Sequence, residues 1–165
     1  MRASIALSLL MAGCSGETPV RTSDTAGARL EATALQQGLI VDPATVTLGG
    51  SWARDSDRLC VVGEENGDQR VGIVSDYGEG PACSATGRVR RDGERLELEL
   101  RDGCRFDARF EGDRIEFPAE IPDACAALCT GRATLAAIRV ERLSASTSEA
   151  RTLRGRDGEQ LCPGS

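Results

Sequence analysis

Seven cysteines are the side chains in this sequence with the clearest capacity for chemistry, because the chain contains no histidine and no lysine. Structural zinc needs closely spaced cysteine pairs or histidines, and only Cys125 and Cys129 are close together. A redox-active pair has two intervening residues, whereas three separate Cys125 from Cys129. We therefore predict no metal site and no cofactor, and we interpret the cysteines as covalent cross-links or attachment points.

Catalytic residues are hard to find among the remaining side chains. General acid–base catalysis through histidine and Schiff-base chemistry through lysine are excluded by composition, and no serine stands in a nucleophile-elbow motif. Glu97 and Asp107 are predicted to lie opposite each other on neighbouring strands, where carboxylates can raise each other's pKa. Arginines surround them on a solvated face, so we predict no catalytic residue. A hydrolase that uses serine or carboxylates is the weaker alternative.

The N-terminus carries an export pattern. Met1-Arg2 is a short positive region, residues 3–11 are mostly apolar, and Met11-Ala12-Gly13-Cys14 follows. This stretch resembles the lipobox of bacterial lipoproteins, although that family usually has Leu where Met11 stands. The resemblance implies cleavage before Cys14 and its acylation, with palmitate among the acyl chains. Ser15 then implies the outer membrane, facing the periplasm. An ordinary secretory signal is the alternative.

These patterns predict the domain organisation. Residues 1–13 are interpreted as a signal peptide, 14–27 as a lipidated flexible tether and 28–165 as a single globular domain. Once Cys14 is lipidated, the even number of remaining cysteines in an exported chain predicts three disulfides. The connectivity stays open; nearest-neighbour pairing predicts Cys60–Cys83, Cys104–Cys125 and Cys129–Cys162.

Residues 59–117 form the centre of the predicted fold, as short strands joined by tight turns. Asn66-Gly67 predicts a hairpin, and Asp92-Gly93, Arg101-Asp102-Gly103 and Gly112-Asp113 predict three more. In this register Val89 lies opposite Leu96, Leu98 opposite Phe106 and Phe110 opposite Ile115. The predicted inner face consists of Ala85, Val89, Leu96, Leu98, Leu100, Cys104, Phe106, Ala108, Phe110, Ile115 and Phe117. The predicted outer face consists of Arg88, Glu97, Glu99, Arg105, Asp107, Arg109 and Glu116.

The flanking segments are predicted from weaker signals. Helix formers occupy residues 28–37, and Trp52 is expected to plug the core rather than hold a ligand. Residues 123–129 suggest a helical turn, and the capping-box spacing of residues 146–149 suggests a helix to about Arg154. Residues 132–143 suit a strand or, from their alanine content, a helix, and we choose the strand. We predict a mainly β fold: a small antiparallel meander, barrel or sandwich with short N-terminal and C-terminal helices, stapled by disulfides.

The formal net charge of −6 argues against nucleic acid as a partner. Gly50-Ser51-Trp52, the early Cys60 and the strand meander resemble small lipocalin-like lipoprotein barrels of the envelope, among them inhibitors of proteases and lysozymes. We therefore expect a membrane-anchored binding module for an envelope protein or a small ligand. A passive structural or interaction component of the outer membrane is the alternative.

Overall fold

A computed structural model describes residues 25–65 and 67–164 of the chain. The predicted lipidation site, Cys14, and the first residue of the predicted Asn66-Gly67 turn lie outside the described residues. The chain divides into two compact units at Ile40 and Val41, and the described part of the first unit is mainly helix α1, Ala26–Gln36.

The second unit contains every strand of the described residues and a second helix. Their bounds are β1 Gly50–Arg54, β2 Asp57–Val62, β3 Gln69–Asp76, β4 Ala82–Asp92, β5 Arg95–Leu100, β6 Arg105–Phe110, β7 Arg114–Glu116, β8 Cys129–Thr130, β9 Arg139–Ser144 and α2 Thr147–Ala150. Short 3₁₀ turns occupy Pro43–Thr45, Arg101–Gly103 and Asp123–Leu128.

The strands form a closed antiparallel barrel of eight, which confirms the predicted fold class. Strands β1 to β7 pair with one another in sequence order. Strand β9 closes the ring, because it pairs with both β7 and β1. The two-residue strand β8 pairs with the start of β4 outside this ring. Closure leaves the barrel strands paired on both sides, which protects a small sheet from edge-to-edge association.

Turn chemistry predicted two of the three hairpin registers correctly. Leu98 lies opposite Phe106, and Phe110 lies opposite Ile115. The β4–β5 register was wrong: Val89 lies opposite Leu98, not Leu96. The loop there is Gly93-Glu94 rather than Asp92-Gly93, because only Gly93 takes a positive φ, 61°, as a Gly-first hairpin turn requires.

The register error does not change which residues face the core. The shift displaces partners by two residues, and side chains alternate between faces with a period of two. Every member of the predicted inner face is buried except Phe106, which is partly buried and packs against the same cluster. Trp52, with 1% of its surface exposed, belongs to that cluster, so its prediction as a core residue is confirmed.

A second apolar cluster lies on the outside of strands β2 and β3. Helix α2 and the chain that follows it cover this patch, and the cluster contains Cys60, Val62, Ala150, Leu161 and Cys162. Gly72 permits the close approach, since a Cβ there would stand 2.5 Å from Leu161 Cβ. The C-terminal segment is therefore part of the folded unit.

All six predicted disulfide cysteines are bridged, but two of the three proposed pairs were wrong. The bonds are Cys60–Cys162, Cys83–Cys129 and Cys104–Cys125. Cys60 belongs to the outer cluster whereas Cys83 belongs to the interior one, so the two thiols lie on opposite faces of the sheet. Cys83 instead lies directly opposite Cys129, in the β4–β8 pair.

The predicted helices are present with different lengths. Helix α1 has Thr25 as its N-cap and buries none of its residues. Helix α2 is capped by Ser146 as the capping-box spacing predicts, but it ends at Ala150 rather than near Arg154. In the segment 132–143 only the last part is strand, because β9 begins at Arg139 and Ala137 takes a positive φ of 57°. The predicted helical turn at residues 123–129 is a 3₁₀ turn over Asp123–Leu128, with Pro122 as its N-cap.

Candidate functional site

Two polar surfaces of the barrel could contact a partner, and the first is its outer face over β4, β5 and β6. Because side chains alternate along a strand, the residues that do not enter the core project together on this side. We call these residues the charged face: Arg88, Arg90, Arg95, Glu97, Glu99, Arg105 and Asp107. All of them except Arg95 border an open cleft of about 650 Å³, together with Asp68.

Ion pairs between neighbouring strands, and one within β5, hold the charged face together. Glu99 accepts a hydrogen bond from Arg88 Nη2 at 3.0 Å and a second from Arg105. Arg95 Nη2 lies 3.3 Å from Glu97 Oε1 and 3.1 Å from Asp107 Oδ2. Each carboxylate of the charged face therefore lies beside at least one arginine, and this polar surface favours a polar or charged partner over an apolar one.

The candidate carboxylate pair, Glu97 and Asp107, lies directly opposite as predicted. Both side chains contact the same guanidinium, that of Arg95, and Glu97 also accepts a hydrogen bond from Arg90. An acid–base pair needs two carboxyls whose environments differ strongly. Shared arginine contacts make these two environments similar, so Glu97 and Asp107 belong to a network of surface ion pairs and do not form an acid–base pair.

Glu99 makes the stability contributed by these ion pairs depend on pH. The hydrogen bond from Arg88, followed by the charge of Arg105, lowers the pKa of Glu99 below its ordinary value of 4.5. A lowered pKa in the folded state means that Glu99 contributes stability above about pH 4.5, and this contribution is lost as the pH falls through the lowered pKa. We expect Glu99→Gln to lower the urea midpoint at about pH 7, and we expect the difference from wild type to shrink as the pH falls below about 4.5. A difference that does not change with pH would contradict this account.

The second polar surface lies at the end of the barrel that we call the mouth. Residues 43–49, which we call the strap, are bound there by side chains of the barrel. Arg91 on β4 donates to the carbonyl oxygens of Pro43 and Val46, the latter at 2.7 Å. Arg142 on β9 donates to the carbonyl oxygens of Thr47 and Gly49, the latter at 3.1 Å.

A carboxylate completes the binding of the strap. Glu65 Oε1 accepts hydrogen bonds from the amides of Leu48, at 2.7 Å, and Gly49, at 3.1 Å. Trp52 Nε1 donates to the Leu48 carbonyl oxygen at 3.2 Å. Barrel side chains thus satisfy main-chain donors and acceptors of the strap, as a neighbouring strand does in a sheet.

The two arginines of the mouth also cover the ends of the aromatic core. The Arg91 guanidinium carbon lies 4.4 Å from the centre of the Phe110 ring, and that of Arg142 lies 4.1 Å from the Trp52 ring. Burial, opposed by the charge of Glu65, lowers the pKa of Arg142. Cation–π contact and carbonyl acceptors offset part of the cost of removing these charges from water.

Sequence reasoning missed Arg91, Arg142 and Glu65. The alternation along β4 places Arg91 on the same face as Val89, and the alternation along β9 places Arg142 on the same face as Val140. An arginine on the core face of a strand could therefore have been recognised from the sequence. No sequence pattern indicated a role for Glu65, because that role depends on where the loop between β2 and β3 meets the strap.

The described residues supply no arrangement for a metal: within residues 25–65 and 67–164 no group of three or more suitable side chains is placed to hold one. In the same ranges, no helix is both long and apolar enough to cross a bilayer.

Fold and surfaces together define a class: a small closed antiparallel barrel, stapled by three disulfides, with a charged outer face and a mouth covered by its own strap. Comparison with protein-family models, with curated proteins and with solved structures finds no match.

Proposed function

We propose that this chain is a lipoprotein of the cell envelope whose barrel is a non-enzymatic binding module. Acyl chains on Cys14 would anchor it to the outer membrane, with the barrel in the periplasm. The main support for this location is that all six cysteines of the second unit are paired in disulfides, and disulfides persist in oxidising compartments. The Met11-Ala12-Gly13-Cys14 pattern supports the same location.

A protein partner is favoured over a small apolar ligand. The interior positions are occupied by one continuous cluster of side chains that includes Trp52 and Phe110, so the apolar volume of the barrel is used for packing. The cleft on the charged face is open and bordered by arginines and carboxylates. Such a surface suits a complementary protein surface, because charge pairs set specificity and orientation. Inhibition of an envelope enzyme is one form that such binding can take.

Lipidation is tested by replacing its acceptor. In a Gram-negative host fed an alkyne analogue of palmitate, we expect the wild-type protein to carry the label and to sediment with membranes. Cys14→Ser should lose the label and leave the membrane fraction, since anchoring depends on the acyl chains. A labelled, membrane-bound Cys14→Ser protein would overturn the proposed anchor.

Binding is tested with a variant of the charged face. Affinity capture of the wild-type protein from detergent-extracted envelopes should recover a protein that is absent from captures with the charge-reversal variant Arg90→Glu. Arg90 is exposed and forms its ion pair with Glu97 on the surface, so its reversal should leave the barrel folded. Captures that contain no specific protein would favour the passive structural role.

A further inference from the structure

The strap lies in the mouth in the manner of a bound peptide. Its contacts with Arg91, Arg142, Glu65 and Trp52 all involve main-chain atoms of the strap. Recognition through the main chain does not depend on sequence, and it is the usual basis of affinity when a protein binds an extended peptide.

One side chain of the strap supplies the apolar anchor. Leu48 is completely buried in the core cluster, and Val46 is partly buried against it. Ala44, Thr45 and Thr47 are exposed. A peptide with a single aliphatic anchor can therefore reproduce the contacts of the strap, whatever its other side chains are.

The two ends of the barrel are closed differently. At the end opposite the mouth, Cys104–Cys125 and Cys83–Cys129 attach the long connection between β7 and β9 covalently. The strap is held by hydrogen bonds and by the burial of Leu48, so its closure is reversible. An open cleft of about 370 Å³ also lies beside it, lined by residues of the strap, Glu65, Arg91 and Gly93.

We propose that the mouth is a peptide-binding site that the strap occupies in the free protein. The partner is a protein that offers an extended segment with one aliphatic anchor, which replaces Leu48 while Arg91, Arg142 and Glu65 bind its main chain. The inference goes beyond the proposed function, because it adds a second binding surface to the charged face. A bound strap reduces the apparent affinity for any competitor, because only the open fraction of molecules can bind.

The experiment uses a fluorescein-labelled peptide of residues 42–50 and the full-length protein, with binding followed by fluorescence polarisation. Leu48→Asp should release the strap, since it would bury an unpaired carboxylate. We expect this variant to bind the peptide at least tenfold more tightly than the wild-type protein does. Leu48→Ser, a milder change, is the second variant should Leu48→Asp fail to fold, as judged by circular dichroism.

Two controls make the result specific. A peptide with Asp in place of its leucine should not bind, and Arg142→Met added to the Leu48 variant should weaken binding of the original peptide at least fivefold. The proposal is overturned if a folded Leu48 variant does not bind the peptide, or if it binds the Asp peptide equally well. That result would leave the lipidation and capture experiments unaffected, so failure of the mouth site and failure of the proposed function are distinguishable.

Discussion

Replacing Trp52 by alanine is expected to lower the free energy of unfolding by about 3–5 kcal/mol. The indole is completely enclosed and contacts the Phe110 ring edge-on, with the ring centres 5.9 Å apart. Truncation would leave a cavity at the mouth and remove the hydrogen bond to the Leu48 carbonyl oxygen. A packed core relaxes only partly around such a cavity, so most of the cost remains.

Urea unfolding followed by far-ultraviolet circular dichroism measures this effect, since Trp52 is the only tryptophan and its loss removes the fluorescence signal. Leu143→Ala is the matched control: Leu143 lies on β9 with 70% of its surface exposed, so its truncation should change the unfolding free energy by less than about 0.5 kcal/mol. Equal effects of the two substitutions would show that Trp52 does not hold the core together.

Removal of the Cys60–Cys162 disulfide is expected to cost about 4–5 kcal/mol. This bond closes a loop with a sequence separation of 102 residues, and cross-linking a long loop restricts the unfolded chain most. It also attaches the C-terminal segment to the outer cluster on β2 and β3. Alanine is the suitable replacement at both positions, because both cysteines are fully buried.

The double variant Cys60→Ala, Cys162→Ala is compared with Cys104→Ala, Cys125→Ala in urea unfolding. The second bond spans a separation of only 21 residues, so its removal should cost about 3 kcal/mol. We expect the first variant to be the less stable of the two. The reverse order would show that native contacts near Cys104, rather than the restriction of the unfolded chain, determine the contribution of these bonds.

The two polar surfaces of the barrel would bind a partner in different ways. The charged face is exposed in the free protein and its ion pairs are already formed, so a partner there must match an existing pattern of charges. The mouth is closed by the strap, so a partner there must displace it. Arg90→Glu and the Leu48 variants therefore separate the two surfaces by independent changes.

Local patterns in the sequence were sufficient for the barrel itself. The alternation of Leu96, Leu98 and Leu100 with Glu97 and Glu99 established which side of β5 enters the core. Turn residues established that these strands are antiparallel neighbours. Even the incorrect β4–β5 register left the inner face intact, because a displacement by two residues returns each side chain to the same side.

Only the tertiary structure decided which distant parts of the chain meet. The partner of Cys60 is 102 residues away, and it reaches β2 because the C-terminal segment crosses the outside of the barrel. The contacts of Arg91 and Arg142 with the strap likewise join residues that are 45 or more positions apart. Alternation and turn propensity act over a few residues, so they determine faces and hairpins. Disulfide pairing and closure of the mouth depend on how the closed barrel arranges its ends, which no local pattern encodes.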